Sequence, residues 1–113
     1  MKIIVSGQNL EIGQALPVYV EEHLGKKISR YLPTAISAHV VFMKERYLYV
    51  CDITIQDGTG NHFHIKTKRS APEIHQAFDN SLKAIEEQLK RHKSRMKDKH
   101  KAQQHAEIAK ALI

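Results

Sequence analysis

The sequence predicts an α+β fold of order β-α-β-β-β-α, a four-stranded sheet with two helices on one face. Three observations predict it. Four short segments are β-branched or alternate apolar with polar residues, the period of a half-buried strand. Two longer stretches space their apolar residues three and four apart, one face of a helix. Glycine, proline and asparagine stand between the segments. Each element then has one apolar face, and one helical layer on one sheet buries them all.

Lys2 to Gly7 is short and β-branched, a strand that Gly7-Gln8-Asn9 breaks. From Gly13 to Leu32 the residues Leu16, Val20, Leu24, Ile28 and Tyr31 follow helical spacing. Pro17 falls in the first turn, where its missing N–H costs little, and Pro33 stops the helix. Ile36 to Lys44 alternates with Ile36, Ala38, Val40 and Phe42 on one face. Tyr47 to Gln56 does the same with Tyr49, Cys51, Ile53 and Ile55. Asp57-Gly58-Thr59-Gly60-Asn61 is a turn. His62 to Lys68 sets Phe63, Ile65 and Thr67 opposite His62, His64, Lys66 and Lys68. The outer sheet face would carry His39, Val41, Asp52, Thr54, His62, His64 and Lys66, a polar and wet surface.

Ser70-Ala71-Pro72-Glu73 predicts a helix start, with Ser70 as cap and Glu73 three residues on. The helix that follows has the stripe Ile74, Phe78, Leu82, Ile85, Leu89 and Met96, with His92 in the missing turn. Residues 1–99 are expected to form the working domain and residues 100–113 a tail, either a frayed helix or the start of a linker.

The charge is uneven. Residues 1–82 carry nine Lys/Arg against eight Asp/Glu, a net +1. Residues 83–101 carry eight against three, a net +5. Nearly all the excess of the +6 chain therefore sits on the far half of the second helix. A local basic cluster of this kind is the footprint of a phosphate backbone or an anionic lipid. The single cysteine, Cys51, allows no internal disulfide and lies in an apolar strand, where it reads as a small buried hydrophobe. No apolar run reaches the roughly 18 residues of a membrane span. The opening MKIIVSGQNLE turns polar too soon for a signal peptide. A soluble, cytoplasmic protein is expected.

This order of elements, with several local patterns in place, resembles the ribosome hibernation promoting factors, or ribosome-associated inhibitors. The residues that carry the resemblance are Gly7-Gln8-Asn9-Leu10-Glu11-Ile12-Gly13 with Ala15-Leu16, then Tyr49-Val50-Cys51-Asp52-Ile53-Thr54-Ile55. Ala77-Phe78-Asp79, Leu82, Ile85-Glu86 and Gln88-Leu89-Lys90-Arg91 complete it. The resemblance implies a fold similar to a double-stranded-RNA-binding domain and a non-enzymatic protein without cofactor. It also implies a seat on the small ribosomal subunit and its ribosomal RNA, in the messenger and transfer RNA channel, blocking translation under stress or in stationary phase. Long members of that family carry a second domain that pairs two ribosomes. This chain resembles a short member or the N-terminal domain of a long one, so dimerisation would come only through that further domain. Two positions depart from the family pattern: Glu87, where a basic residue is usual, and His75, where an aromatic is frequent.

The residues themselves point to RNA backbone binding. At about 100° per residue, Lys83, Lys90, Lys93 and Lys97 fall on one side of the packed stripe, and Arg91 and Arg95 on the other. On the first helix, His23, Lys26, Lys27 and Arg30 cluster in the last turns, where cations also suit the helix dipole. Readout would be of shape and phosphate. Tyr47, Tyr49 and Phe63 do not make the stacking pair of a sequence-reading single-strand binder. General binding of structured RNA is an alternative. A metal or hydrolytic site built on His62 and His64, with His39 or Asp52 nearby, is a weaker one, without a confirmed third ligand or a general base at a fixed spacing. A membrane surface is not expected, because the packed helix keeps no exposed apolar face, and no small-molecule substrate is expected.

Overall fold

The computed structural model describes the backbone of residues 1–58 and 64–111, and side chains within these as far as residue 94. The order is β1 (Lys2–Gly7), α1 (Ala15–Tyr31), β2 (Ala35–Glu45), β3 (Leu48–Asp57), β4 (His64–Ala71) and α2 (Ile74–Ala111). The sheet runs β1-β2-β3-β4. Strands β2, β3 and β4 pair antiparallel, whereas β1 pairs parallel with β2. A parallel pair needs a crossover connection, and α1 is that connection.

The predicted strand faces form the core. Ala38, Val40, Phe42, Cys51, Ile53 and Ile55 are fully buried under Val20 and Leu24 of α1 and Phe78, Ile85 and Leu89 of α2. Phe63 lies outside the described residues, as do Thr59, Gly60, Asn61 and His62. Ser81 is a polar core residue that the apolar stripe does not reveal. Its hydroxyl donates to the Cys51 carbonyl at 2.7 Å, and Thr67 donates to the Ser81 carbonyl at 3.2 Å. These two bonds pin α2 to the sheet, and no buried side-chain nitrogen or oxygen is unpaired among the described residues.

Two expectations are corrected. Ile36 does not join the core face but is 53% exposed. The register slips between Ala35 and Ser37, which reverses the alternation there and puts Ala35 inside instead. Ser70 does not cap α2. Strand β4 continues through it, paired with Val50, and the first helical bond runs from the Ala77 N–H to the Glu73 carbonyl.

The break after β1 has a steric cause. A Cβ at Gly7 would collide with the Leu10 carbonyl oxygen, and Gly13 sits at φ 72°. The helix α2 passes residues 99 and 100 without a backbone break and ends at Ala111.

Candidate nucleic-acid interface

Helices α1 and α2 lie side by side and run in the same direction. Tyr19 meets Asp79 near their starts, and Arg30 meets Lys93 near the end of α1. The last turn of α1 is thereby set against the basic half of α2.

Tyr31 is the centre of that meeting. The Arg30 guanidinium lies 5.2 Å from its ring centroid, and the Lys90 and Lys93 ammonium groups each lie 5.9 Å away. Its hydroxyl donates to Glu86 Oε1 at 3.3 Å. Glu86 in turn holds Lys27 at 3.1 Å and Lys90 at 3.4 Å. The hydrogen bond from Lys27 lowers the Glu86 pKa, burial opposes that shift, and Lys90 adds to it. Lys93 donates to the Arg30 carbonyl at 3.3 Å, an ammonium group on the negative end of α1. Two of these four cations, Lys27 and Lys90, share the Glu86 carboxylate, and the group keeps a local charge of +3. A recess of about 190 Å³ opens here between Tyr31, Lys90, Lys93 and Ser94. The arrangement suits polyanion oxygens, which can bridge several ammonium groups at once.

The other predicted cations are placed differently. Lys26 and Arg91 are exposed and, among the described residues, pair only within their own helices, with Glu22 at 3.6 Å and Glu87 at 3.8 Å. Such surface pairs hold a few tenths of a kcal/mol and yield readily to phosphate. Glu87 faces outward, as its place off the stripe predicts, and its partner is Arg91. Lys83 is exposed. His23 does not join the Tyr31 group but lies against Tyr19, with ring centroids 4.2 Å apart. His75 packs edge-on to the same Tyr19 at 5.4 Å. The side chains of Arg95 and Lys97 lie outside the described residues.

Sequence reasoning missed the parts played by Tyr31 and Glu86. Its helical spacing places Tyr31 on the apolar stripe, yet it is only half-buried and ringed by charge. The spacing of Glu86 and Lys90 signals their pairing, but nothing in one helix signals Lys27.

The outer sheet face does not gather its histidines. His39 stands opposite Thr54 and His64 opposite Gln56, while Asp52 pairs with Lys66 at 3.7 Å. Among the described residues no three His, Cys, Asp or Glu side chains come together as a metal site. His62 lies outside them. No described helix is long and apolar enough to cross a membrane.

Comparison with known proteins points the same way as the fold. The chain is 27% identical over 109 residues to a ribosome hibernation promotion factor of Bradyrhizobium diazoefficiens, covering 96% of this chain and 53% of that protein. It is 26% identical over 97 residues to a ribosome hibernation promoting factor of Salmonella typhimurium, covering 86% of this chain and 98% of that one. The chain therefore spans about half the length of the rhizobial relative and nearly all of the Salmonella one. The crystal structure of the Thermus thermophilus Protein Y N-terminal domain superposes with a TM-score of 0.68 at 27% identity, covering 80% of this chain and 98% of that one. The model of one family matches residues 3–97, from the first strand to the basic half of α2. With nearly every element from β1 to the Tyr31 cluster inside that match, the chain belongs to the family described as Sigma 54 modulation protein / S30EA ribosomal protein.

Proposed function

We propose that this chain is a ribosome hibernation factor, or the ribosome-binding part of one, that seats on ribosomal RNA of the small subunit. In this reading it occupies the messenger and transfer RNA channel. The observation that carries it is the convergence of Arg30, Lys90 and Lys93 on Tyr31, with Lys27 held beside them by Glu86, cations drawn from two helices onto one surface. The helices bring phosphate affinity, and the folded domain excludes messenger and transfer RNA by its volume. Inhibition is competitive and involves no turnover, so ribosomal RNA stays intact. Ribosome binding implies a cytoplasmic location.

Cosedimentation with purified ribosomes and separated subunits tests the reading. Each phosphate contact contributes about −0.7 to −0.9 to the slope of log affinity against log salt. If six cations engage, binding weakens roughly a thousandfold between about 50 and 200 mM salt. In a translation assay, inhibition tracks ribosome occupancy, and excess initiator transfer RNA with messenger relieves it. Salt-independent binding, cleaved ribosomal RNA or full translation by saturated ribosomes would each defeat the proposal.

A further inference from the structure

The β2–β3 hairpin tip lies at the opposite end of the sheet from Tyr31, since β2 leaves the α1 terminus and runs eleven residues to Glu45. Eleven residues of strand span roughly 35 Å. The connection there has two residues, Arg46 and Tyr47, between the Glu45–Leu48 pair. Arg46 takes φ 56°, the left-handed region that glycine occupies without strain. Tyr47 is 91% exposed and touches no ring, hydrogen-bond or ionic partner among the described residues. Beside it is a recess of about 480 Å³ lined by Glu45, Arg46, Tyr47, Leu48, Val50 and Ser70.

We infer that this hairpin tip is a second RNA contact, in which Tyr47 stacks on one unpaired nucleobase seated over Leu48. Three features of the tip select that ligand. The recess has an aromatic wall in Tyr47 and an apolar floor in Leu48, 41% exposed, which suits a flat ring. Arg46 and Lys68 stand beside the recess against the carboxylate of Glu45, so the flanks favour an anion such as the adjoining phosphates. Glu45 is held 3.7 Å from Lys68 at the rim, where it can accept a hydrogen bond from an exocyclic amino group. Cytosine offers that group and uracil does not. Tyr31 cannot serve in this way, because three cations already crowd its ring. The contact rests on the RNA-binding reading, but it uses none of the helix cations.

The test is an NMR titration of the full chain with pentacytidylate, pentauridylate and an abasic pentamer of the same backbone. It is run in the wild type and in a Lys90→Ala/Lys93→Ala background, so that a failure of the helix site leaves this measurement intact. Pentacytidylate is expected to shift the Tyr47 ring protons upfield in both backgrounds, and the abasic pentamer to leave them in place. Tyr47→Ala should weaken pentacytidylate binding roughly 5- to 100-fold, with the salt slope unchanged, whereas Tyr47→Phe should bind as the wild type does. Because Tyr47 is almost fully exposed, both variants keep the thermal midpoint. Equal ring shifts with the abasic pentamer, equal affinity for pentauridylate, or full affinity in Tyr47→Ala would overturn the inference. So would ring shifts produced only by an acidic peptide, which would make the tip a protein contact.

Discussion

Lys27 on α1 and Glu86 on α2 form a cross-helix ion pair at 3.1 Å, and the same carboxylate holds Lys90 and the Tyr31 hydroxyl. One acidic residue therefore fixes the positions of two cations in the basic cluster while lowering its net charge. Glu86→Gln can keep the Tyr31 bond but takes the cluster from +3 to +4. Ribosome affinity at low salt is expected to rise several-fold, with a steeper salt slope. A fall in affinity would mean that the fixed placement of Lys27 and Lys90 outweighs their net charge.

The same carboxylate makes a pH prediction. Its folded pKa lies below the ordinary value of 4.5, chiefly through Lys27. Its contribution to stability is therefore complete above that ordinary value and is lost as pH falls through the lower folded one. The wild type should melt above Glu86→Gln at pH 7, and the gap should close as pH drops below 4.5. Thermal melts of both proteins across this range check it, and a gap that widens in acid would contradict the sign.

Leu89 is fully buried where α2 still lies over the sheet. Leu89→Ala should cost about 2–5 kcal/mol in urea unfolding, through lost burial and the cavity left behind. Ser81→Ala removes the 2.7 Å bond to the Cys51 carbonyl and should cost less, about 0.5–1.5 kcal/mol. Reversal of that order would mean that the polar pin, rather than the apolar stripe, holds α2 in place.

Replacing Lys90, Arg91, Lys93 and Arg95 together with alanine should abolish cosedimentation with the small subunit while circular dichroism stays native. Lys90, Arg91 and Lys93 are exposed, so their loss opens no cavity. Taken singly, Lys90→Ala and Lys93→Ala should weaken binding more than Arg91→Ala, because only the first two border Tyr31. Unchanged cosedimentation of the quadruple variant would move the binding surface elsewhere.

Burial pushes the Cys51 thiol up to about 12; the neighbouring Asp52 charge adds to that, and the hydrogen bond with Ser81 works against it. At pH 8 only about one part in ten thousand is thiolate, the form that reacts. Cys51 should stay inert to aromatic disulfide reagents in the native protein and react fully in urea. Fast labelling of the folded chain would show that α2 lifts readily from the sheet.

The amino-acid sequence alone determined the order of elements, the core faces of β2, β3 and β4, and the concentration of charge on α2. These are local properties. Whether a residue faces the core follows from its place in a period of two or 3.6. The slip that exposes Ile36 was not legible, because a bulge depends on how two strands pair and leaves no mark in either one. Nor was the run of β4 through Ser70, since a capping pattern and an edge strand compete for the same residues. In the candidate site, periodicity told which cations lie off the packed stripe. Only the docking of α1 beside α2 decided that Lys27 meets Glu86, that Tyr31 gathers Arg30, Lys90 and Lys93, and that His23 turns to Tyr19 instead. Contacts between residues some sixty positions apart depend on how two rigid helices settle on a common sheet, and that is set by the packing of the whole core rather than by either segment.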